Sequence, residues 1–176
     1  MHVRQSTWVP VQRVGPDHDL PRQRPARRKV LLVASTGGHL AQLTDMSHVW
    51  TQDERLWVTF DKADARSTLK GERVVHAHHP TTRNLLNLAL NTGLAVRVLR
   101  RERPDVVVST GAGVALPFFF VARLLGVPTV YLEVVDRVDS RTLTGRLCRP
   151  LSTRFCVQWP EQAKMYAGAD VVGRAM

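Results

Sequence analysis

From Lys29 onward, short apolar runs rich in β-branched residues alternate with longer segments of helical period, the pattern of an α/β chain. The runs Val30 to Ala34, Leu56 to Phe60, Arg73 to His76, Asp105 to Ser109, Thr129 to Glu133 and Arg154 to Gln158 read as strands. Helices are expected to start near His39, Thr81, Ala112, Thr142 and Pro160. Stretches such as "DVVVS" and "TVYLE" are hydrophobic on both sides, which suits a parallel sheet covered on both faces by helices. Pro104 and Pro128 each stand just before a strand, where a helix must already have ended. No repeat at solenoid spacing interrupts this order. The pattern predicts a doubly wound α/β domain with a mostly parallel sheet.

Composition narrows the picture. A chain of 176 residues with 44% hydrophobic content can bury one good core, so one domain over residues 29–176 is expected. Residues 1–28 mix prolines and arginines without an apolar period, and they are expected to form a disordered tail. The whole chain is basic, with 25 Lys+Arg against 15 Asp+Glu, and seven of those cations fall within residues 1–29 beside only two acids, Asp17 and Asp19. Such a balance favours an anionic partner without saying which: phosphate, nucleic acid or a membrane surface. The tail lacks the continuous apolar segment of a secretory signal. The longest apolar run, "AGVALPFFFVA", is stopped by Arg123, short of the roughly 20 residues that span a bilayer. Cys148 and Cys156 are too few and wrongly spaced for a zinc site or a disulfide framework; they are expected as small buried hydrophobes in a reducing cytosol.

In an open parallel sheet, ligands bind beyond the carboxyl ends of the strands, so the residues that follow each strand are the candidates. After the first strand come Gly37, Gly38 and His39; after the fourth comes "STGAG", with Gly111 and Gly113 opening another helix. Glu133 ends the fifth strand and Gln158-Trp159 the sixth, while "HAHHP" closes the third. Glycine-rich turns let backbone N–H groups at a helix N-terminus approach a phosphate or pyrophosphate. Tight strand-to-helix packing explains the glycines equally well. Neither turn is a dinucleotide fingerprint or a P-loop. His39 opens a helix, where a neutral imidazole can accept a proton; a capping or merely exposed histidine is the other reading.

The motifs "LLVASTGGHLAQL", "HPTTRNLLNLALN", "RPDVVVSTGAGVALPFFFVARLLGVPTVYLE", "DRVDSRTLTGR" and "VQWPEQAKMY" occur in that order over Lys29 to Gly173. Together they resemble the acceptor-side subunit of split GT-B glycosyltransferases. That family comprises bacterial exopolysaccharide-biosynthesis proteins and the membrane-side subunit of the eukaryotic N-acetylglucosaminyltransferase acting on lipid-linked chitobiose. The similarity extends, more remotely, to the N-terminal half of MurG. The resemblance implies a Rossmann-like half of a GT-B enzyme that is inactive without a donor-domain partner subunit. It implies a UDP-sugar co-substrate, UDP-N-acetylglucosamine or another UDP-hexose derivative, and a polyprenyl-diphosphate-linked acceptor. No metal or other cofactor is expected, and the implied location is the cytoplasmic side, peripheral on the inner face of the plasma membrane.

By position in those motifs, the resemblance makes His39 the first candidate for general base on the acceptor hydroxyl. Gly37, Gly38, Gly111 and Gly113 become pyrophosphate contacts. Glu133, Arg137, Thr144 and Gly145 match an E-x-x-x-R stretch followed by S/T-L-S/T-G, and Gln158 with Trp159 matches a "QW" pair. Thr142 stands where many relatives carry serine. Arg137 is expected to clamp a phosphate, and Glu133 to orient a sugar hydroxyl or act as the alternative base; a plain Glu133–Arg137 ion pair also fits. Trp159 suits a helix staple or a sugar platform alike. The histidines of "HAHHP" have no carboxylate or thiolate near them in sequence, which argues against a metal site. Leu85 to Leu99 is apolar over most of its circumference, with Arg97, Arg100, Arg101 and Arg103 crowding its far end. It suits either a helix lying in a membrane interface or a core helix, and Asn84, Asn87 and Asn91 form a polar stripe that fits both. A non-catalytic scaffold that recruits a partner to the membrane needs the same fold but tolerates loss of His39 and Glu133. An oxidoreductase lacks its fingerprint, although Asp61 is present, and nucleic-acid binding rests on charge alone.

Overall fold

The structure, a computed structural model, describes residues 27–135 and 140–173. The expected tail lies almost wholly, and Arg137 entirely, outside the described residues. Seven parallel strands form one sheet in the order β3-β2-β1-β4-β5-β6-β7: β1 (Lys29–Val33), β2 (Glu54–Phe60), β3 (Val74–Ala77), β4 (Val106–Ser109), β5 (Thr129–Leu132), β6 (Arg154–Val157) and β7 (Asp170–Val171). The register runs without slippage: Val33 opposes both Val58 of β2 and Ser109 of β4, and Leu132 opposes Cys156. Strand order reverses between β1 and β4, which is where a doubly wound sheet opens its crevice. The six expected strands are present within two residues of their predicted bounds. The two-residue β7 was not foreseen, since Asp170-Val171 carries no run of apolar residues long enough to mark it.

The helices divide by face. Helix α1 (Gly38–Asp45), a 3-10 turn (Met46–Trp50) and α2 (Ala63–Thr68) bury Leu40, Leu43, Trp50 and Ala65 against Val30, Leu32 and Trp57. On the opposite face lie α3 (Leu85–Glu102), α4 (Ala115–Leu124), α5 (Leu143–Cys148) and α6 (Pro160–Met165). They contribute Ala95, Val98, Leu99, Phe118, Phe119, Cys148 and, just past α6, Tyr166 to a cluster over Leu31, Val33, Val107 and Tyr131. Burial of such side chains, each worth about 1.5–3 kcal/mol, is the main force holding both layers. Helix α2 escaped the sequence reading because Ala65 is its one buried residue, so no apolar period announces it.

Two helices begin later than the sequence suggests. Helix α3 starts at Leu85 rather than near Thr81 because Asn84 caps it: its side chain accepts the Asn87 N–H at 2.9 Å. Helix α4 starts at Ala115 rather than at Ala112, whose φ of 68° is left-handed. The asparagine stripe of α3 turns inward to the loop after β3. Asn87 donates to the Pro80 carbonyl at 2.8 Å, and the buried Asn91 both accepts from the His78 N–H (2.8 Å) and donates to its carbonyl (2.9 Å). Those bonds seat the inner side of α3 on the core while Leu85, Leu86 and Leu90 stay exposed. Among the described residues no helix is long and apolar enough to cross a membrane.

Candidate functional site

The two glycine turns meet at the switch point. In the first, Gly37 adopts φ 74°, ψ −140°, a region that L side chains rarely enter, and its N–H donates to Asp64 Oδ2 at 2.9 Å. Gly38 then opens α1 with open space where a Cβ would stand. The following N–H groups of the first helical turn have no partner inside the helix. In the second turn Ser109 Oγ accepts the Gly111 N–H at 3.0 Å, and Gly111 takes φ 111°. A Cβ on Gly111 would lie 2.8 Å from the Tyr131 hydroxyl and 3.3 Å from His39 Cε1; one on Gly113 would lie 2.9 Å from Thr81 Oγ1. Crowding by neighbouring side chains, with a positive φ at Gly111, therefore favours both glycines of the second turn, whatever binds there.

His39 and Thr110 clasp each other across the turns. The Thr110 hydroxyl donates to the His39 carbonyl at 2.7 Å, and His39 Nδ1 lies 2.9 Å from the Thr110 carbonyl oxygen. A carbonyl oxygen only accepts, so Nδ1 carries a hydrogen, and in the neutral ring the lone pair is on Nε2. The ring is half-buried and lines a cleft of about 460 Å³ at the carboxyl ends of β1 to β4. Ser35 and Thr36, Phe60 and Lys62, His79 to Thr82, and Ala112 and Gly113 complete its walls, with Thr144 entering from α5. The cleft thus combines a proton acceptor, backbone donors, several hydroxyls and one lysine.

Lys62 is a cleft residue that the sequence reading passed over, and His79, from the "HAHHP" that closes β3, joins it there. Both obey the rule that led to His39, since each follows a strand. His79 packs its ring on Phe60 with centroids 5.5 Å apart. Elsewhere in "HAHHP", His76 Nδ1 sits 3.8 Å from Asp61 Oδ1, a carboxylate that sequence distance concealed. Among the described residues no three His, Cys, Asp or Glu side chains gather as a metal site would require.

Four of the expected site residues are placed elsewhere, at the corner of β5, α5 and β6. Glu133 is 0% exposed, and both its oxygens are occupied. Tyr166 donates to Oε2 at 2.6 Å, the Thr142 hydroxyl lies 3.1 and 3.2 Å from the two oxygens, and the Val134 N–H donates to Oε1 at 3.1 Å. This geometry ties β5 to α5 and keeps the carboxylate out of solvent. Gln158, also buried, donates through Nε2 to the Glu133 carbonyl at 2.9 Å, and its N–H donates to Gln162 Oε1 at 2.8 Å. Gly145 fits under α5 because any Cβ there would collide with Glu133 Oε2. Trp159 donates from Nε1 to the Val135 carbonyl at 3.0 Å. Burial, reinforced by the charge of Glu133, pushes the Cys148 thiol up to about 12, and burial with the Glu133 hydrogen bond does the same for the Tyr166 hydroxyl. Of the motif residues after β5, Thr144 alone among those described reaches the cleft.

Beside the cleft, and sharing Thr81, Thr82, Gly113 and Thr144 with it, runs an apolar groove of about 430 Å³ between α3, α4 and α5. Leu85, Leu88, Leu116, Leu143 and Leu147 line it. Exposed Leu86, Leu90, Phe120 and Leu124 continue the apolar character on α3 and α4.

A family model described as "Oligosaccharide biosynthesis protein Alg14 like" matches residues 69–175. The mouse protein named UDP-N-acetylglucosamine transferase subunit ALG14 is 26% identical over 193 residues, covering 92% of this chain and 88% of its own length. A protein of the same name from Eremothecium gossypii is 34% identical over 114 residues, covering 60% of this chain and 51% of its own. A Clostridium kluyveri N-acetylglucosamine transferase acting on pyrophosphoryl-undecaprenol is 36% identical over 78 residues, 44% of this chain and 21% of its own. Among solved structures, Acinetobacter baumannii MurG superimposes with a TM-score of 0.70 at 20% identity, over 85% of this chain and 46% of its own. The Neisseria meningitidis UDP-GlcNAc 2-epimerase bound to UDP-GlcNAc gives 0.64 at 13% identity, over 83% and 46%. At such identities these likenesses show the Rossmann-like fold, and this chain spans less than half of either solved chain.

Proposed function

The chain belongs to the Alg14-like family of oligosaccharide-biosynthesis proteins, and from that premise we propose that it is the acceptor-side subunit of a two-chain UDP-sugar transferase acting on a polyprenyl-diphosphate-linked acceptor. The observation that carries the reading is the His39–Thr110 clasp, which in the neutral ring puts the lone pair on Nε2 of a side chain lining the cleft. In this reading Nε2 takes the proton of the acceptor hydroxyl as its oxygen bonds to the anomeric carbon of the donor. The bond from that carbon to UDP breaks, UDP departs with the electron pair, and the configuration inverts. Backbone N–H groups of the first turn of α1 and the Lys62 ammonium face the acceptor diphosphate, a role that assigns no step to a metal.

The apolar groove beside the cleft supports the lipid acceptor: a polar head in the cleft lets a polyprenyl chain leave along Leu85, Leu116 and Leu143. The exposed leucines of α3 and Phe120 of α4 then face the inner leaflet, with the arginines at the far end of α3 near anionic headgroups. UDP-N-acetylglucosamine is the first donor to try, because the mouse relative's name specifies it. The word subunit in the mouse relative's name supports a donor-side partner, for a cleft at strand ends needs a second wall to exclude water and align two substrates.

The test is sugar transfer from radiolabelled UDP-sugars to a membrane lipid extract, with this chain alone, a candidate donor-side chain alone, and both. Activity only in the mixture is expected; activity from this chain alone overturns the two-chain reading. Full turnover of a folded His39→Ala chain in the mixture would instead support the scaffold reading.

A further inference from the structure

The polar cleft and the apolar groove share a wall. Thr81, Thr82, Gly113 and Thr144 line both, with Lys62 on the cleft side and Arg83 on the groove side. Arg83 is the one charged residue lining the groove, and it stands beside Leu85, Leu88 and Leu143. Elsewhere Arg28, Arg55, Arg66, Arg73 and Arg154 each hold a carboxylate at 2.7 to 3.2 Å. Among the described residues the side chains of Lys62 and Arg83 make no ion pair or hydrogen bond, and neither do the hydroxyls of Thr81, Thr82 and Thr144. Two cations and three hydroxyls are therefore unspent around one wall.

The backbone under Arg83 is held in a costly conformation. Its φ is 51°, in the left-handed region that glycine or asparagine enters far more readily than arginine. The bond from Asn87 to the Pro80 carbonyl (2.8 Å) and the Asn84 cap of α3 pin the turn on either side. Of the three non-glycine residues with such a φ among those described, Arg103 ends α3, where a left-handed cap is ordinary. The other two, Ala112 and Arg83, border the cleft and the groove. Strain kept at a cavity wall, on a residue whose charge has no partner, points to a use for that charge.

A diphosphate esterified at both ends keeps one ionised oxygen on each phosphate, whereas a phosphate diester keeps only one in all. Two free cations on either side of a wall of hydroxyls match the first charge count and exceed the second. From this match we propose that Arg83 binds the phosphate next to the lipid and Lys62 the phosphate next to the sugar, so that Arg83 makes the site select a diphosphate-linked over a monophosphate-linked acceptor. The inference rests on the acceptor reading above. The leucines set the direction, because they lie on the Arg83 side, where the lipid must leave. They also separate the acceptor from a UDP-sugar, which carries the same charge but no chain for Leu85, Leu88 and Leu116 to hold.

The experiment titrates the full chain, in neutral detergent, with geranylgeranyl methyl diphosphate and geranylgeranyl methyl phosphate, sugar-free probes that differ by one phosphate and one charge. Parent, Arg83→Gly and Arg83→Lys are compared. Glycine adopts a positive φ without strain, so Arg83→Gly removes the guanidinium and spares the fold, which circular dichroism checks. The parent is expected to bind the diphosphate roughly tenfold or more tightly than the monophosphate. Arg83→Gly should lose that preference while its affinity for the monophosphate stays within about twofold of the parent, and Arg83→Lys should keep most of the preference. In the assembled enzyme Arg83→Gly should raise KM for the lipid acceptor roughly tenfold, with kcat within about twofold of the parent. A parent that binds both probes alike, or an Arg83→Gly chain that keeps the preference and the parental KM, overturns the proposal; sugar transfer by the pair then leaves the acceptor reading intact. Weaker binding of UDP-N-acetylglucosamine by Arg83→Gly, with the lipid probes unaffected, overturns it in favour of a donor contact. Loss only of adsorption to phosphatidylglycerol vesicles overturns it in favour of a headgroup contact. If neither probe binds more tightly than geranylgeraniol and no pair transfers sugar, both readings fail.

Discussion

Two corners of the molecule hold the residues that motif position marked as functional, and they are built on opposite terms. At the switch point the polar groups of His39, Lys62 and Thr144 border open space, and backbone N–H groups of α1 are left without intrahelical partners. At the corner of β5, α5 and β6, Glu133, Gln158 and Gln162 are fully enclosed and hydrogen-bonded to Tyr166, Thr142 and the backbone of residues 133 and 134. The first corner trades local stability for access. The second locks the element that carries Thr144 into the cleft. Motif residues therefore fall into two groups, those that border the cleft and those that pack behind it, and burial separates them.

The largest effect on stability is expected from Glu133→Ala. It strands the Tyr166 hydroxyl, the Thr142 hydroxyl and the Val134 N–H together, at about 4 kcal/mol in chemical denaturation. Its turnover, measured in whatever fraction stays folded, should fall mainly through mispositioned Thr144. His39→Ala should do the reverse. Turnover of the assembled enzyme is expected to drop about 100-fold, with a melting temperature within a degree or two of the parent. Equal loss of stability in both variants would erase the distinction between the corners.

Gly111→Ala should link the two, because the new Cβ meets both His39 and the Tyr131 hydroxyl at a positive φ. A cost of about 2 kcal/mol accompanied by a fall in kcat larger than that of Gly38→Ala is expected, since Gly38 has open space at its Cβ. The smallest effect concerns neither corner and serves as a control. Glu72 accepts two bonds from Arg55, at 2.7 and 3.1 Å, and one from the Trp57 indole at 3.1 Å. The Arg55 hydrogen bond above all holds its carboxyl below the ordinary 4.5. A depressed carboxyl stabilises the fold at pH values above its unfolded pKa and loses that contribution as pH falls through the folded one. Glu72→Gln should therefore cost about 1.5 kcal/mol at pH 7. The gap to the parent should close as the pH drops below 4.5, while kcat stays unchanged throughout.

Much of the fold was legible because parallel strands buried on both faces need unbroken apolar runs, and "VLLVA", "DVVVS" and "TVYLE" supply them. Helix α2 and strand β7 were not, since one buried alanine and two exposed residues leave no period to read. The cleft was legible as far as the rule of strand ends was applied: it yielded His39, Gly111, Gly113 and the "HAHHP" that holds His79, and applied equally to β2 it would have yielded Lys62. The asparagine stripe of α3 looked neutral between membrane and core; Asn91 resolved it only through a partner thirteen residues away, the backbone of His78.

By itself the sequence determined the element types, the strand-rich parallel core and the two glycine turns, because period, β-branching and turn chemistry are local properties of the chain. Tertiary structure decided which motif residues border the open cleft and which are buried against each other. Glu133 and His39 look equally reactive in one dimension, and only the crossing of α5 and α6 over β5 takes the carboxylate out of water while the reversal of strand order between β1 and β4 leaves the imidazole at an open mouth.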